Sequence, residues 1–299
     1  MKKSEPFSML FLFLAAFIWG VAFVAQSVGM EFVGPFTFNG ARFLLGGVVL
    51  LPFALLRQRK REEKQQNPPE KRKQRRGTLL GGLCCGIAIF IASTFQQVGM
   101  QDTTVGKAGF ITALYIVIVP FLGLFLGKKV APLLWFSALL ATIGFYFLCI
   151  TEGFIFQKGD MLIFLCAVTF SFHILIIDHF APKADGVALS CIQFLFSGAV
   201  SAIIAIFKEE ITLVSLGQAA LPIAYAGIFS CGVAYTLQIL GQAKVKPTLA
   251  SLILSLEAVI SVLAGWLFLQ ERLTLRQIAG CSLVFFAVLL AQLPTKKKE

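Results

Sequence analysis

Apolar residues in this chain run on for about 20 positions at a time, broken by short polar clusters, with no strand-like alternation. A helix of that length covers the ~30 Å of a bilayer's hydrocarbon core at 1.5 Å per residue. Backbone groups in lipid must pair within their own segment, so such runs are helices. The pattern predicts ten spans: Phe7 to Val28, Phe36 to Leu56, Thr78 to Val98, Gly106 to Leu126, Pro132 to Ile150, Gly159 to Phe180, Val187 to Phe207, Gly217 to Leu240, Thr248 to Leu269 and Leu275 to Leu293. Most connections are only a few residues long, too short for an extramembrane domain.

Composition agrees, with 58% of residues hydrophobic and 14% charged, against about 45–50% and about 25% in soluble chains. The first span is expected to stay in the protein, because its apolar run exceeds a signal peptide's 7–15 residues and no small-x-small cleavage site follows. Cys84, Cys85, Cys149, Cys166, Cys191, Cys231 and Cys281 all fall within spans, with no CxxC pair or Cys/His cluster. They read as small buried hydrophobes, and neither a metal nor a cofactor is expected.

Charge sets an orientation. If the segments outside the spans alternate sides, 20 of the 26 Lys and Arg fall on the side of the N-terminus and 5 on the other, with Arg42 inside a span. Positive charge is retained on the cytoplasmic side, so a cell-membrane protein with both termini cytoplasmic is expected. The net charge of +11 therefore reflects topology rather than nucleic-acid binding. Half of the basic residues on that side lie in RQRKREEKQQNPPEKRKQRR. This loop, residues 57–77, is expected to be disordered and to sit against anionic lipid.

The two halves of the chain resemble each other. FTFNGARFLLGGVVL (36–50) aligns with VALSCIQFLFSGAVS (187–201), matching Phe43 to Phe194, Leu44 to Leu195 and Gly47 to Gly198. LFLGKKV (124–130) aligns with LFLQERL (267–273), and Met9-Leu10 and Ala15 align with Met161-Leu162 and Ala167. A unit of five helices is odd, so its second copy enters the membrane from the opposite side. The predicted fold is an all-α membrane protein with ten transmembrane helices as two inverted five-helix repeats, residues 1–150 and 151–299. Inverted repeats around a central site are a transporter architecture, since the halves can rock to expose that site alternately.

Several segments sharpen this reading. AAFIWG (15–20) opens the first span, Pro35 precedes Arg42-Phe43 by a fixed spacing, TALYIVIVP (112–120) forms the fourth span, and LSLEAVISVLAGWLFLQERLT (254–274) forms the ninth. On these segments the chain resembles the drug/metabolite transporter superfamily, in its EamA type with two five-helix repeats. It departs from that pattern at Ala258, where a proline is usual, and at Gln270, where a glycine is usual. The resemblance implies a ten-helix carrier of small metabolites, often an exporter of amino acids or related compounds. Multidrug efflux and lipid-head-group export are the alternative within the superfamily.

A charge at mid-bilayer costs roughly 2.5–3.5 kcal/mol on insertion scales, which singles out Glu257 in the ninth span. It reads either as a substrate or proton site or as a neutral, hydrogen-bonded carboxylic acid joining helices. Arg42, two turns inside the second span, either snorkels or holds a substrate carboxylate or Glu257. Lys107 is either an interfacial anchor or part of a basic vestibule with Arg42. His173 either relays protons or bridges helices. Trp19, Tyr115, Gln96, Gln97, Gln193 and Gln238 are candidates to line a central cavity. Pro120 deprives the Ile116 carbonyl of its helical partner and marks a hinge or a packed kink. Gly82-x3-Gly86 and Gly123-x3-Gly127 suggest close helix approach.

Rival functions lack their signatures. HExxH, GxSxG and paired intramembrane Asp are absent from the sequence, which argues against an intramembrane enzyme. A receptor or scaffold would carry larger loops, and a channel would show a filter-like segment. The expected partners are a small-molecule solute and the lipid bilayer, not nucleic acid; the sequence leaves the oligomeric state open.

Overall fold

The structure, a computed structural model, describes residues 5–64, 68–103, 105–149, 157–269 and 274–293. Fourteen α-helices and one π-helical stretch occur among the described residues. In chain order they are α1 (Glu5–Gly29), α2 (Pro35–Lys64), α3 (Pro68–Gly99), α4 (Val105–Ala113), α5 (Tyr115–Phe125), α6 (Pro132–Cys149), α7 (Lys158–Phe180), α8 (Gly186–Lys208), α9 (Leu213–Gln218), α10 (Ala220–Ala224), the π-helix Tyr225–Tyr235, α11 (Thr236–Gln242), α12 (Pro247–Leu254), α13 (Leu256–Leu269) and α14 (Leu275–Ala291).

These make ten spans. Eight helical segments among the described residues are long and apolar enough to cross a membrane, and the shorter Pro132–Phe147 and Leu275–Ala291 complete the set. Span 4 is α4 plus α5, span 8 is α10, the π-helix and α11, and span 9 is α12 plus α13; spans 5, 6, 7 and 10 are α6, α7, α8 and α14. Large apolar side chains such as Phe17, Phe53, Ile203, Phe229 and Leu267 lie exposed on the outside. Such a surface suits lipid and would be costly in water.

Spans 2 and 7, equivalent in the sequence repeat, run antiparallel against each other. Position 40 faces Ala202, position 47 faces Leu195, and Leu44 faces position 198. The ends agree, with Phe36 meeting Glu209 and Arg57 meeting Asp185. Equivalent helices pointing opposite ways are what an inverted repeat requires. Other packed pairs come in matching sets: span 3 on span 6 with span 8 on span 1, and span 4 on span 6 with span 9 on span 1. Span 5 packs on its own equivalent, span 10.

Lipid tails are as apolar as the side chains, so helix association here depends on close packing more than on the hydrophobic effect. A Cβ on Gly198 would lie 2.7 Å from the backbone nitrogen of Leu44, closer than atoms can approach. Gly82 and Gly86 likewise meet Ile192 and Phe196 of span 7, as their spacing suggests. Gly123-x3-Gly127 does something else. Gly127 has φ +69° and ends α5, with the Lys128 N–H donating to the Gly123 carbonyl and the Gly127 N–H to the Leu124 carbonyl. This is a left-handed helix stop, where glycine avoids a Cβ clash.

The basic segment also differs from expectation. Residues 57–64 continue α2 and residues 68–76 belong to α3, so the described part is helical rather than disordered. Lys, Arg, Gln and Glu are good helix formers, and extending a helix already nucleated in the membrane avoids the cost of starting one. Residues 65–67 lie outside the described residues. We call this the basic end of the bundle and the opposite one the far end.

Candidate functional site

Side chains from seven spans meet around one cavity at the centre of the bundle. Its lining includes Trp19 and Gln26 of span 1, Arg42 of span 2, Gln96 of span 3, Thr112 and Tyr115 of span 4, Phe170 of span 6, Tyr235 and Gln238 of span 8, and Glu257 of span 9. The cavity volume is about 40 Å³, room for about three waters at 10–15 Å³ each. The polar lining is therefore drawn together in this conformation.

Arg42 is buried, at 4% exposure, and does not snorkel. Its Nη1 donates to Gln26 Oε1 at 2.7 Å, and its guanidinium lies 4.8 Å from the Phe43 ring centroid and 5.5 Å from that of Phe38. The Gln26 amide is oriented by its other end, whose Nε2 donates to the Ala22 carbonyl at 3.3 Å. The Nε–H of Arg42 has no hydrogen-bond partner. A buried charged donor left unpaired is expensive, so this atom marks where an acceptor is missing. Across the lining, Gln238 Oε1 is an unpaired buried acceptor.

Glu257 lies in the first turn of α13 and accepts a hydrogen bond from the Tyr115 hydroxyl at 2.8 Å on Oε1. It does not pair with Arg42, so each charge keeps its own neighbours. Local structure delivers both partners. Span 4 breaks at Leu114, immediately before Tyr115, and span 9 breaks at Ser255, two residues before Glu257. The Ser255 hydroxyl donates to the Leu252 carbonyl at 2.8 Å, one of three such back-bonds in the span with Ser251 and Ser261. Back-bonding of this kind loosens and bends a helix, which explains a break at a place where the usual proline is absent. Pro120 is not the break in span 4; it is buried inside α5, six residues further on. Gly20 admits the backbone of span 9, since a Cβ there would sit 2.8 Å from the Glu257 carbonyl oxygen.

An aromatic wall links these features. Trp19 and Tyr235 rings are 4.5 Å apart, Tyr235 and Phe194 5.3 Å, and Phe194 and Phe43 5.6 Å, ending beneath Arg42. His173 stands behind this wall, off the cavity, with Nε2 3.1 Å from Gln193 Oε1 and its ring edge-on to Phe170 and Tyr235. Its position is that of a helix-bridging group. The π-helix forms part of the wall, and Trp19 Nε1 donates to its Ser230 carbonyl at 3.3 Å while the Tyr225 hydroxyl donates to the Ile18 carbonyl at 3.1 Å. π-Helical turns recur at functional sites.

Most of the residues singled out in the sequence thus converge: Trp19, Arg42, Gln96, Tyr115, Gln238 and Glu257 line one cavity. Gln97 does not; it is fully buried off the cavity with both amide atoms unpaired. Lys107 lies in the first turns of α4, and its side chain is outside the described residues. Asp178, at the basic end, is held by Lys128. The sequence reading missed Gln26, Thr112 and Tyr235. Gln26 was findable, because Trp19, Ala22, Phe23 and Gln26 share one helical face by spacing. Tyr235 depended on the π-helix, which no local pattern announced.

The chain matches the EamA-like transporter family twice, over residues 6–150 and 157–293. It is 32% identical over 286 residues to an uncharacterized transporter of Archaeoglobus fulgidus, covering 94% of this chain and 84% of the relative. A protein of known crystal structure, 21% identical, superposes with a TM-score of 0.77 over 97% of both chains, a likeness of fold.

Proposed function

Since this chain belongs to the EamA-like transporter family, and is thus a multi-pass membrane transporter and no enzyme, we propose that it exports amino acids or closely related metabolites across the cell membrane by alternating access. The observation that carries this reading is the unpaired Nε–H of buried Arg42 in the central cavity. A carboxylate is the acceptor that suits it, because guanidinium and carboxylate pair side by side through two N–H groups. Glu257, on the same cavity and not paired with Arg42, supplies an anion for the substrate's ammonium group. Trp19 and Tyr235 offer flat surface for the remainder. A cation and an anion held apart select a zwitterion. A lipid-head-group exporter would need a groove open toward the bilayer, and this cavity is instead ringed by seven spans.

About 40 Å³ is too small for an amino acid, so the conformation described is contracted and binding requires the bundle to open. The breaks beside Tyr115 and Glu257 lie where that opening would act on the site directly. With the basic end toward the cytoplasm, both termini are cytoplasmic, and the solute enters from that side. Purified protein in liposomes, offered labelled amino acids with and without a pH gradient, tests the proposal. Arg42→Gln is expected to slow transport about 100-fold, the loss typical when one partner of a buried charge pair is removed, with the fold intact. Transport at the wild-type rate would refute the assignment of Arg42. Glu257→Gln is expected to abolish gradient-driven uptake and to slow exchange, because the amide still accepts a hydrogen bond from the ammonium group but carries no charge; wild-type rates in both assays would remove Glu257 from binding and coupling.

A further inference from the structure

A second polar feature lies at the basic end, well away from the transport cavity. Two grooves meet there at Arg57. The larger, about 580 Å³, is lined by Phe7 and Phe11 of span 1, Arg57 of span 2, and Leu240 and Lys244 at the end of span 8. The other, about 450 Å³, descends between spans 2 and 8 past Leu50, Phe53, Leu56, Val233 and Leu237. From Arg57 to Leu50 is seven residues, so this cleft reaches roughly 10 Å into the hydrocarbon. Its lower wall is Gly232 and Val233 of the π-helix, whose Ser230 and Tyr235 line the transport cavity.

The charges at the mouth are underused. Arg57 has one charged neighbour among the described residues, Asp185, whose Oδ2 stands 3.6 Å from its Nε, beyond hydrogen-bond reach. The other oxygen of Asp185 caps α8, accepting from the Val187 and Ala188 N–H groups at 3.0 and 3.2 Å. Lys244 is exposed, two residues past the end of α11; its backbone N–H donates to the Gly241 carbonyl at 3.1 Å, and its ammonium group makes no hydrogen bond or ion pair among the described residues. Two cations over an apolar cleft at the level where headgroups lie match one chemistry, an anion joined to an alkyl chain. A soluble anion would use the cations and leave the cleft empty; a zwitterionic lipid would fill the cleft but gain little from the cations.

We propose that this pair of grooves binds one anionic phospholipid, with its phosphate between Arg57 and Lys244 and one acyl chain along the cleft between spans 2 and 8. The chain end rests on the π-helix, so occupancy bears on the wall of the transport cavity from behind. Basic residues at a membrane surface attract anionic lipid by roughly fivefold each, about 1 kcal/mol, which gives the two together a preference of roughly 25-fold. The basic continuation of α2 and α3 raises the local supply of such lipid by the same attraction.

The test uses the full-length protein in nanodiscs and does not depend on the transport assignment. A tryptophan is introduced as Phe53→Trp, and its fluorescence is read against Phe53 protein carrying the native Trp19, Trp135 and Trp266. Brominated phosphatidylglycerol, present as a small fraction in phosphatidylcholine, is expected to quench the added tryptophan far more than brominated phosphatidylcholine at the same fraction. Lys244→Gln, a change at an exposed side chain without a hydrogen bond or ion pair among the described residues, is expected to cut that preference about fivefold. Adding Arg57→Gln removes the rest, whereas Lys246→Gln, exposed nearby but off the grooves, leaves it unchanged. Equal quenching by the two lipids overturns the proposal, as does a preference that survives the double substitution. So does an equal loss in Lys246→Gln and Lys244→Gln, which would indicate diffuse surface charge.

Discussion

Spans 2 and 7 are built unlike spans 4 and 9, although each pair is one helix and its repeat equivalent. Spans 2 and 7 are unbroken, meet through Gly47 and Gly198, and are clasped at both ends. At the far end the Glu209 carboxylate accepts from the Phe36 and Thr37 N–H groups at 2.9 and 2.7 Å, capping the partner helix. At the basic end Asp185 caps α8, its own N–H donates to the Thr78 hydroxyl at 3.0 Å, and Arg57 stands alongside. Spans 4 and 9 break at mid-height and touch at the breaks through Tyr115 and Glu257. Capped helices with interlocked backbones resist separation, whereas a break leaves few hydrogen bonds to give up on bending. The bundle thus combines a stiff strut with two jointed members, and the joints carry part of the site.

Cross-linking separates the two behaviours most sharply. A Cβ at position 40 would lie 3.3 Å from that of Ala202 across the strut, and one at position 109 would lie 3.8 Å from that of Ala258 across the joints. Both spacings are near those of disulfides. In a background without native cysteines, Gly109→Cys with Ala258→Cys is expected to abolish transport when oxidised and recover with reductant. Gly40→Cys with Ala202→Cys is expected to leave transport within about twofold, because nothing in a rigid strut has to move. Transport blocked equally by both would erase the distinction.

Stability should discriminate in the other direction. Gly198→Leu forces atoms into the Leu44 backbone and is expected to cost about 3 kcal/mol or more, at the upper end of overpacking, seen as a large fall in melting temperature in detergent. Gly109→Ala, whose new Cβ would lie 3.1 Å from the Ser261 hydroxyl, is expected to melt close to wild type, since that hydroxyl can rotate away. Tyr115→Phe removes the hydrogen bond between the joints, worth about 1.5–3 kcal/mol when the acceptor is charged. It is expected to lower the transport rate about tenfold and melting by several degrees, less than Gly198→Leu. Glu209→Ala removes a cap worth about 1 kcal/mol; melting should fall by a few degrees and transport persist.

Much of this was legible in the sequence, for physical reasons that can be named. Unbroken apolar runs of membrane length have only one solution in lipid, so the spans and the helical class followed. Phe43, Leu44 and Gly47 matched against Phe194, Leu195 and Gly198 revealed the repeat; that the two helices also pack on each other, each glycine receiving a leucine of its partner, is seen only in the structure. Arg42 and Glu257 stood out because charge in a membrane demands a reason. Pro120 offered a hinge or a packed kink; it lies buried inside α5, and the break stands six residues away at Leu114, because a proline is visible locally while a helix end set by packing is not. The order of residues 57–64 and 68–76 was missed because composition reports hydrophobicity, not the helices these segments continue.

What the sequence alone determined is what depends on the solvent and on local chemistry: ten apolar helices, their duplication, and which polar residues must be sheltered. What only the tertiary structure decided is which of those residues face one another. Gln96 rather than Gln97 reaches the cavity, Arg42 bonds Gln26 and not Glu257, and a π-helix brings Ser230 to Trp19. The reason is geometric: one residue along a helix turns a side chain by about 100°, so which face looks inward is set by how neighbouring helices pack, and packing is shared among residues far apart in the chain.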